Sequence, residues 1–383
     1  MIERLAIEGY RSIRSLVVDL APLTVVTGAN GSGKSSLYRA LRLLADCGEG
    51  RVVASLAAAG GLDAVRWAGP ERGSRRGGAT EGTVRGGPVS LRLGVATDAL
   101  GYAIDLGLPV AQRSAFDLDP EIKQEHVFAG TDPRPAGVLV ERTRGAARVA
   151  TNGGWSELAR GLHPWASVLD EFAGHAEAAE LAGARRMLRG WRFHDAMRTD
   201  ASAPARHPQV ATRAARLDHD GANLAAVLQT AIEAGRDREV ARAIDDAFPG
   251  SRLRLPMVDG RMRVALEQPR LLRPLDAVEL SDGTLQYLLL TAALLSAETP
   301  GLIVLNEPER SLHAELVPAL AERISRAAGE TQVVVVTHHA SLAEALGGAA
   351  GALRIALEKD AGETVVAGRE GLLDQPAWRW PKR

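Results

Sequence analysis

A glycine-rich segment near the start of the chain constrains the fold more than any other feature. Residues 28–35 are Gly-Ala-Asn-Gly-Ser-Gly-Lys-Ser, which fits the G-x-x-x-x-G-K-[ST] pattern of a phosphate-binding loop. The apolar run at 23–27 is typical of a buried strand, and apolar residues between 37 and 44 recur at helical spacing. Strand, loop and helix therefore follow in the order that such a loop requires. The sequence predicts a site for ATP or GTP.

Each residue type in this loop has a chemical task. Glycine lets backbone N–H groups turn toward the β- and γ-phosphates, the Lys34 ammonium neutralises phosphate charge, and the Ser35 hydroxyl is a ligand for Mg²⁺. Lys34 is one of only four lysines among 46 basic residues, which favours a specific need for a compact ammonium there. The predicted nucleotide contacts are Gly28, Ala29, Asn30, Gly31, Ser32, Gly33, Lys34, Ser35 and Ser36.

Composition limits the remaining choices. With 383 residues, 46% of them hydrophobic and 24% charged, the chain resembles a globular protein with room for two lobes. The net charge of −1 gives no overall attraction to nucleic acid, so such binding needs a local basic patch. Cys47 is the only cysteine, which excludes an intrachain disulfide and thiolate zinc sites. With no signal peptide or membrane-length apolar run, we expect a cytoplasmic protein without a membrane partner.

Hydrophobic patterns predict a β-rich first third. Residues 4–8 and 15–19 have the pattern of two short strands that lead into the phosphate-loop strand. Residues 69–88 are rich in Gly and Arg without an apolar period, which predicts an exposed loop. Alternation at 89–95 and 101–108 predicts a solvent-facing antiparallel pair.

The rest of the chain indicates an α/β protein. A helical period extends from about 155 to 248, and small residues with two prolines at 200–216 interrupt it as a loop. The continuous apolar runs at 302–305 and 333–336 predict central parallel strands covered on both faces. The predicted division is 1–154 for an N-terminal lobe, 155–250 for a mainly helical insertion, and 251–383 for a C-terminal lobe.

Four short motifs follow one another in the last third. They are Leu-Ser-Asp-Gly-Thr at 280–284, Asn-Glu-Pro-Glu at 306–309, Ser-Leu-His at 311–313 and Thr-His at 337–338. Taken singly, the first is usually a helix cap, a glutamate after a strand is usually a cap or surface charge, and a lone histidine is usually structural. In this order they resemble the signature motif, Walker B motif, D-loop and switch histidine of ATP-binding-cassette (ABC) ATPases.

Within that class the resemblance extends to both ends of the chain. Ile-Glu-Gly-Tyr-Arg-Ser-Ile at 7–13, the signature at 280–284 and Pro-Ala-Trp-Arg-Trp-Pro at 376–381 resemble the bacterial RecF/OLD-like, SMC-related ATPases. The resemblance implies a phosphate-loop fold with an antiparallel N-terminal sheet, a central mostly parallel sheet and an AAA-type core without a Toprim domain. It also implies an ATP-dependent homodimer that sandwiches two nucleotides.

The resemblance assigns roles to single residues. Glu307 orients and deprotonates the attacking water, His338 donates to the γ-phosphate, and Lys34 holds the phosphates during catalysis. Ser281 and Gly283 meet the nucleotide held by the partner chain. A physical reason supports this, because the helix N-terminus behind Ser281 is an anion site without a phosphate of its own.

Three assignments stay open. Asn306 stands where most relatives carry aspartate. Ser35 is a direct ligand of Mg²⁺, and Asn306 bonds to a water bound to Mg²⁺. Because the Asn306 amide brings no negative charge, we expect slow hydrolysis. The magnesium-sensing glutamine is not assigned: Gln112 and Gln124 both follow predicted strands, and a surface glutamine is the favoured interpretation of each. Arg11 approaches the α-phosphate by analogy with related ATPases, or is an N-terminal surface arginine.

An arginine-rich segment at 185–216 is the second candidate site. Trp191 and Phe193 lie among its arginines, a mixture that suits phosphate backbones and base stacking and makes DNA a candidate partner. A solvated helical face in an arginine-biased proteome explains the pattern as well. The arginines are Arg185, Arg186, Arg189, Arg192, Arg198, Arg206, Arg213 and Arg216.

Several functions compete at this point. The leading hypothesis is an ATPase of DNA repair, recombination or phage defence, in which ATP closes a dimer and hydrolysis opens it. A nucleotide switch that hydrolyses slowly or not at all and regulates a partner protein is the alternative, and Asn306 favours it. A transporter ATPase subunit is disfavoured by the entry at 9–13 and the helical middle. An OLD-type nuclease is not expected, because no Glu and Asp-x-Asp cluster follows residue 346.

Overall fold

The structure is a computed structural model that describes residues 1–69, 90–109, 115–195, 197–369 and 374–381. Its strands are β1 (Ile2–Tyr10), β2 (Ile13–Asp19), β3 (Leu23–Gly28), β4 (Leu91–Thr97), β5 (Leu100–Gly107), β6 (Glu121–Ala129), β7 (Val138–Thr143), β8 (Ala146–Thr151), β9 (Gly154–Arg160), β10 (Trp191–His194), β11 (Gln209–Val210), β12 (Arg252–Arg254), β13 (Met257–Val258), β14 (Arg261–Met262), β15 (Ala265–Glu267), β16 (Leu275–Asp276), β17 (Leu302–Asn306), β18 (Gln332–Val336), β19 (Ala352–Asp360) and β20 (Glu363–Val366). Its helices are α1 (Lys34–Gly48), α2 (Val52–Ala58), α3 (Leu62–Val65), α4 (Val168–Glu171), α5 (Ala179–Arg189), α6 (Leu224–Ala231), α7 (Asp237–Ala247), α8 (Asp282–Leu294), α9 (Val317–Ala327) and α10 (Ala340–Gly347).

The chain divides into two compact units. Unit 1 comprises Met1–Ala21, Gly28–Trp191 and Ile355–Arg383, and unit 2 comprises Pro22–Thr27 and Arg192–Arg354. The sequence predicts three consecutive segments with boundaries at 154 and 250, whereas each of the two units combines separated segments of the chain. The three-segment division stays a prediction. None of the helices in the described residues has both the length and the hydrophobicity needed to span a bilayer.

An antiparallel sheet dominates unit 1. Its eight strands lie in the order β2-β1-β4-β5-β6-β7-β8-β9. The strands predicted at 4–8 and 15–19 are confirmed as β1 and β2, which pair Leu5 with Val18 across the sheet. The two-residue connection between them contains Arg11 with φ 51°. The hairpin therefore ends at the residue that the sequence offered as an α-phosphate ligand.

The pair β4 and β5 is antiparallel as predicted, but the prediction that it faces solvent is wrong. Leu91, Leu93 and Val95 on one face of β4 are fully buried, and Gly94 and Ala96 on the opposite face are buried as well. A Cβ on Gly94 would lie 2.1 Å from the ring of Trp378, so the C-terminal segment covers this strand where glycine leaves space. The alternation of apolar and polar residues predicts the strand, whereas the burial of its second face depends on Trp378, which is far away in the sequence.

The helical prediction for 155–248 is wrong at its start. Gly154–Arg160 is strand β9, which pairs with β8 at the edge of the eight-stranded sheet. Trp155 is half-exposed there, and the Arg148 guanidinium lies 4.5 Å from its ring centroid. The loop predicted at 200–216 is confirmed, apart from one helical turn at Pro204–Arg206 and the short β11.

A parallel sheet forms the centre of unit 2. Strand β18 pairs in parallel with β17 on one side and with β3 on the other. The runs 302–305 and 333–336 are fully buried, so the predicted central strands are confirmed. Helix α8 is buried along 285–294 and contributes to two hydrophobic clusters, which explains why it is apolar all round. The fold is therefore α/β, with an antiparallel and a parallel sheet.

One ion pair in unit 1 is fully buried. Arg142 donates from Nη1 to Glu125 Oε2 at 2.9 Å, and both side chains are 0% exposed. Tyr102 and Ser167 donate to the other oxygen of Glu125. Arg142 also donates from Nη2 to the His163 carbonyl at 2.9 Å. Every charge in this cluster is therefore hydrogen-bonded, as buried charges require.

Arg142→Met is expected to lower the free energy of unfolding by about 3–5 kcal/mol, because it leaves the Glu125 carboxylate buried without its counterion. Urea denaturation measures this effect. Arg160→Met is the matched control, since Arg160 forms an ion pair with Glu157 that is exposed, and we expect a change below about 1 kcal/mol. Equal stability of the two variants would show that Arg142 does not hold the sheet.

Candidate functional site

The phosphate loop has the backbone conformation that its glycines predict. It connects the end of β3 with the start of α1. Gly33 has φ 109°, and a Cβ there would lie 2.1 Å from the Thr364 Oγ1 atom. Gly28 has φ 151°, and a Cβ there would lie 2.3 Å from the Leu357 carbonyl oxygen. Both positions therefore need glycine, for conformation and for space.

The polar atoms of this loop fit a phosphate group. The Lys34 Nζ atom donates to the carbonyl oxygens of Gly28 and Ala29 at 2.7 and 3.0 Å, inside the curve of the loop. Ser32 Oγ is buried and has no hydrogen-bond partner among the described residues. The first turn of α1, which is fully described, has no acidic side chain. An ammonium, an orphan hydroxyl and a helix N-terminus thus converge where an anion is expected.

The Mg²⁺ ligand predicted in the loop is accessible. Ser35 is exposed, whereas its neighbour Ser36 is buried. Ser36 Oγ lies 3.1 Å from Ser12 Oγ, which in turn lies 2.8 Å from Thr364 Oγ1. This hydroxyl cluster holds the start of α1, and no local sequence pattern indicates it because its members are far apart in the chain. Ser36 is therefore placed to support the loop.

Arg11 lies in the same turn as Ser12. Its guanidinium stacks on the Tyr10 ring, 5.6 Å from the centroid, and Nε is 3.4 Å from the Tyr10 hydroxyl. The residue is only partly buried. Both interpretations made from the sequence, an α-phosphate ligand and a surface arginine, agree with this position.

In unit 2, the acidic motif follows the carboxyl end of β17. Asn306 is the last residue of that strand and lies opposite Val336 of β18. Glu307 has φ 50°, a strained conformation for glutamate, and its N–H donates to the Val336 carbonyl at 2.7 Å. Its Oε1 lies 3.2 Å from His338 Nδ1. The structure therefore brings together the predicted general base and switch histidine.

A second carboxylate, for which the motif order predicts no role, lies beside them. Glu309 is 7% exposed, and its Oε1 accepts a 2.5 Å hydrogen bond from Thr337 Oγ1. Thr337 Oγ1 also accepts from the His339 N–H at 2.9 Å. Glu309 Oε2 is buried without a hydrogen-bond partner among the described residues. Its only signal in the sequence is its place two residues after Glu307.

The signature segment begins helix α8. Ser281 is its N-cap, and Ser281 Oγ accepts from the Thr284 N–H at 3.2 Å. A Cβ on Gly283 would lie 2.9 Å from the Ser311 carbonyl oxygen, so the glycine allows the predicted D-loop to approach. The cap interpretation is confirmed, and it is compatible with a phosphate-binding role because the Ser281 side chain is exposed.

The remaining sequence predictions fare differently. Gln124 is 4% exposed inside β6, so its interpretation as a surface glutamine is wrong. Gln112 lies outside the described residues, and so does the predicted loop at 69–88 except for its first residue. Within the described residues, no group of three or more His, Cys, Asp and Glu side chains is arranged for a metal ion.

The structure does not support the arginine-rich segment as one open basic patch. Trp191 is 4% exposed and is not available for base stacking. Arg206 is buried as well. Four other arginines form ion pairs, which are Arg185–Asp170, Arg198–Asp200, Arg213–Glu233 and Arg216–Glu298. The charges are thus largely neutralised within the protein, and a DNA interface loses its local support.

Solved structures similar to this chain include heads of SMC proteins. An SMC head bound to the C-terminal winged-helix domain of ScpA is 15% identical, covers 96% of both chains and has a TM-score of 0.49. The SMC head domain from Thermotoga maritima is 15% identical over 97% of this chain and 99% of that chain, with a TM-score of 0.45. The Smc head domain with an extended coiled coil bound to the C-terminal domain of ScpA from Pyrococcus furiosus is 13% identical over 96% and 95%, with a TM-score of 0.47.

The sequence comparison gives the family. No curated protein matches the chain. One family profile matches residues 23–344, from the strand before the phosphate loop to the helix after the switch histidine. That range includes the phosphate loop, the acidic motif, the predicted switch histidine and most of the chain. The protein belongs to the family described as "AAA domain, putative AbiEii toxin, Type IV TA system".

Proposed function

We propose that this protein binds ATP with Mg²⁺, hydrolyses it slowly, and closes as a homodimer around two nucleotides. The observation that carries the proposal is the register of the parallel sheet in unit 2. Val26, Val336 and Asn306 lie side by side on β3, β18 and β17. The phosphate loop, Glu307 and His338 each continue from the carboxyl end of one of these strands, and ligands of α/β sheets bind at that edge.

The residue roles follow from this arrangement. Lys34 and the amides of the loop hold the β- and γ-phosphates, and the exposed Ser35 hydroxyl binds Mg²⁺. Glu307 takes the proton of the attacking water, and His338, held by Glu307, donates to the γ-phosphate. Asn306 bonds to a water of the Mg²⁺ shell without adding charge.

The homodimer supplies what one chain lacks. Ser281 and Gly283 begin a helix whose N-terminus attracts anions, and the Ser281 side chain is exposed. We therefore assign their phosphate to a nucleotide bound by a second copy. In this scheme ATP closes the dimer and hydrolysis opens it, which is the behaviour expected of a RecF/OLD-like ATPase in DNA repair, recombination or phage defence.

A regulatory switch is the second candidate. Asn306 favours it, because a Mg²⁺ site with one carboxylate fewer lowers turnover. In this candidate function, the regulated target is a partner protein. In that case nucleotide binding alone changes the affinity for the partner.

Turnover and oligomeric state test the proposal together. We expect the purified protein to release phosphate from ATP with Mg²⁺ and to elute as a dimer with ATP but as a monomer without it. Dimerisation without phosphate release supports the switch. Neither activity, with ATP in excess, would contradict the proposed ATPase, and absence of ATP binding by calorimetry would contradict both candidates.

Asn306→Asp is expected to tighten Mg²⁺ binding and to raise turnover by about tenfold, because a carboxylate adds charge to the metal site. Phosphate release over a Mg²⁺ titration measures both effects. Asp360→Asn, on the exposed end of β19, is a control that we expect to leave the titration unchanged. A lower rate for Asn306→Asp would show that the site is adapted to asparagine.

A further inference from the structure

We infer that Arg206 is a positioning residue for the signature segment 280–284, and this inference rests on the proposed dimer. The side chain is 6% exposed. It donates from Nη1 to the carbonyl oxygens of Ala277 and Leu280, both at 2.7 Å. It donates from Nη2 to the Thr199 carbonyl at 2.8 Å and to Asp282 Oδ1 at 2.6 Å. One guanidinium thus connects two distant loops with the start of α8.

These bonds fix the residues on both sides of the N-cap. Leu280 directly precedes Ser281, and Asp282 is the first residue of α8. Because Arg206 holds both neighbours, the direction of the Ser281 hydroxyl is set by a residue 75 positions earlier, as their numbers show. These four contacts use the four Nη–H donors of the planar guanidinium, whereas lysine has only three donors on one atom.

Arg206 also acts on the charge of this segment. Asp282 is 60% exposed, and a carboxylate at this helix N-terminus opposes the arrival of a phosphate. The Arg206 guanidinium at 2.6 Å offsets that charge and draws the carboxylate to one side. The segment therefore presents its hydroxyl and amides to an anion without net repulsion.

The neighbouring carboxylates give a comparison. Asp276 is paired with Arg263 at 3.2 Å, and Glu279 accepts two hydrogen bonds from Arg273, which lower its pKa to about 2. Arg273 is 67% exposed, so its pair is screened by water. Arg206 differs from both arginines because it is buried and bonds to backbone on each side of the cap.

Two variants test the positioning role. Arg206→Met and Arg206→Lys are expected to lower kcat and ATP-dependent dimerisation by about tenfold or more, the size of one lost charge-assisted hydrogen bond. The dissociation constant of ATP for the monomer stays within about twofold, since the phosphate loop is unchanged. Arg273→Met is the matched control with wild-type values. If Arg206→Met and Arg206→Lys also have wild-type values, the inference is wrong.

Asp282→Asn tests the charge effect on an exposed side chain that does not endanger folding. We expect dimerisation at a several-fold lower ATP concentration, and we expect Asp282→Asn to restore part of the kcat lost in Arg206→Met. A purely structural Arg206 gives neither result. Wild-type protein without turnover or dimerisation would overturn the proposed function and this inference together, whereas an active wild type with unaffected variants overturns the inference alone.

Discussion

Lys34→Ala is expected to weaken ATP binding by at least about 100-fold, because two charge-assisted contacts to phosphate are lost. The ammonium already lies inside the loop, where it donates to the carbonyl oxygens of Gly28 and Ala29. These are local bonds, so the variant should fold and differ from wild type only in nucleotide affinity. Titration calorimetry with ATP and Mg²⁺ measures the change.

Two controls sharpen this result. Lys359→Ala removes an exposed lysine that bonds only to the nearby Gly362 carbonyl among its described hydrogen bonds, and we expect wild-type affinity. Lys34→Arg keeps the charge but places a larger planar group at a site that is 7% exposed, so we expect weak binding as well. Unchanged ATP affinity in Lys34→Ala would contradict the nucleotide site itself.

Glu307→Gln is expected to lower kcat by about 10²–10⁴-fold, the usual contribution of a general base. The amide is nearly isosteric with the carboxylate, so the strained backbone at φ 50° and ATP binding should persist. With hydrolysis blocked, the ATP-bound dimer should accumulate. Phosphate release and size-exclusion chromatography with ATP and Mg²⁺ measure the two effects.

The matched control is Glu315→Gln, which lies shortly after Glu307 in the sequence of unit 2. Glu315 is 88% exposed and lies 3.7 Å from His313 Nδ1, so its loss should leave kcat and the oligomeric state unchanged. Glu307→Gln with wild-type turnover would show that another group activates water, and Glu309, with its buried orphan oxygen, would be examined next. A monomeric Glu307→Gln with ATP would contradict the nucleotide sandwich.

Local features were predictable from the sequence because short-range forces control them. Glycine spacing predicted the loop between β3 and α1, and the positive φ of Gly33 explains why only glycine suits it. Continuous apolar runs predicted β17 and β18, because strands buried on both faces need them. Ser281 before an apolar run predicted the cap of α8.

Most of the incorrect sequence predictions concern which residues are buried. Pattern alone placed β4 and β5 at a solvent-facing surface, but Trp378 packs against Gly94 from the end of the chain. Gln124 suits a surface position by sequence, but its side chain is buried inside β6. Strand β9 does not follow from the sequence pattern, because its apolar residues Trp155, Leu158 and Ala159 have helical spacing.

The sequence by itself determined the chemistry of the loop and the order of the motifs, since residue type and spacing specify both. Only the tertiary structure decided what the isolated charges do. Arg206, one of eight arginines in the candidate DNA-binding segment, is buried and bonds to Asp282 of the signature segment, and Glu309 bonds to Thr337 beside the predicted base. The physical reason is that desolvation and hydrogen-bond partners depend on residues brought together by folding, which no local pattern encodes.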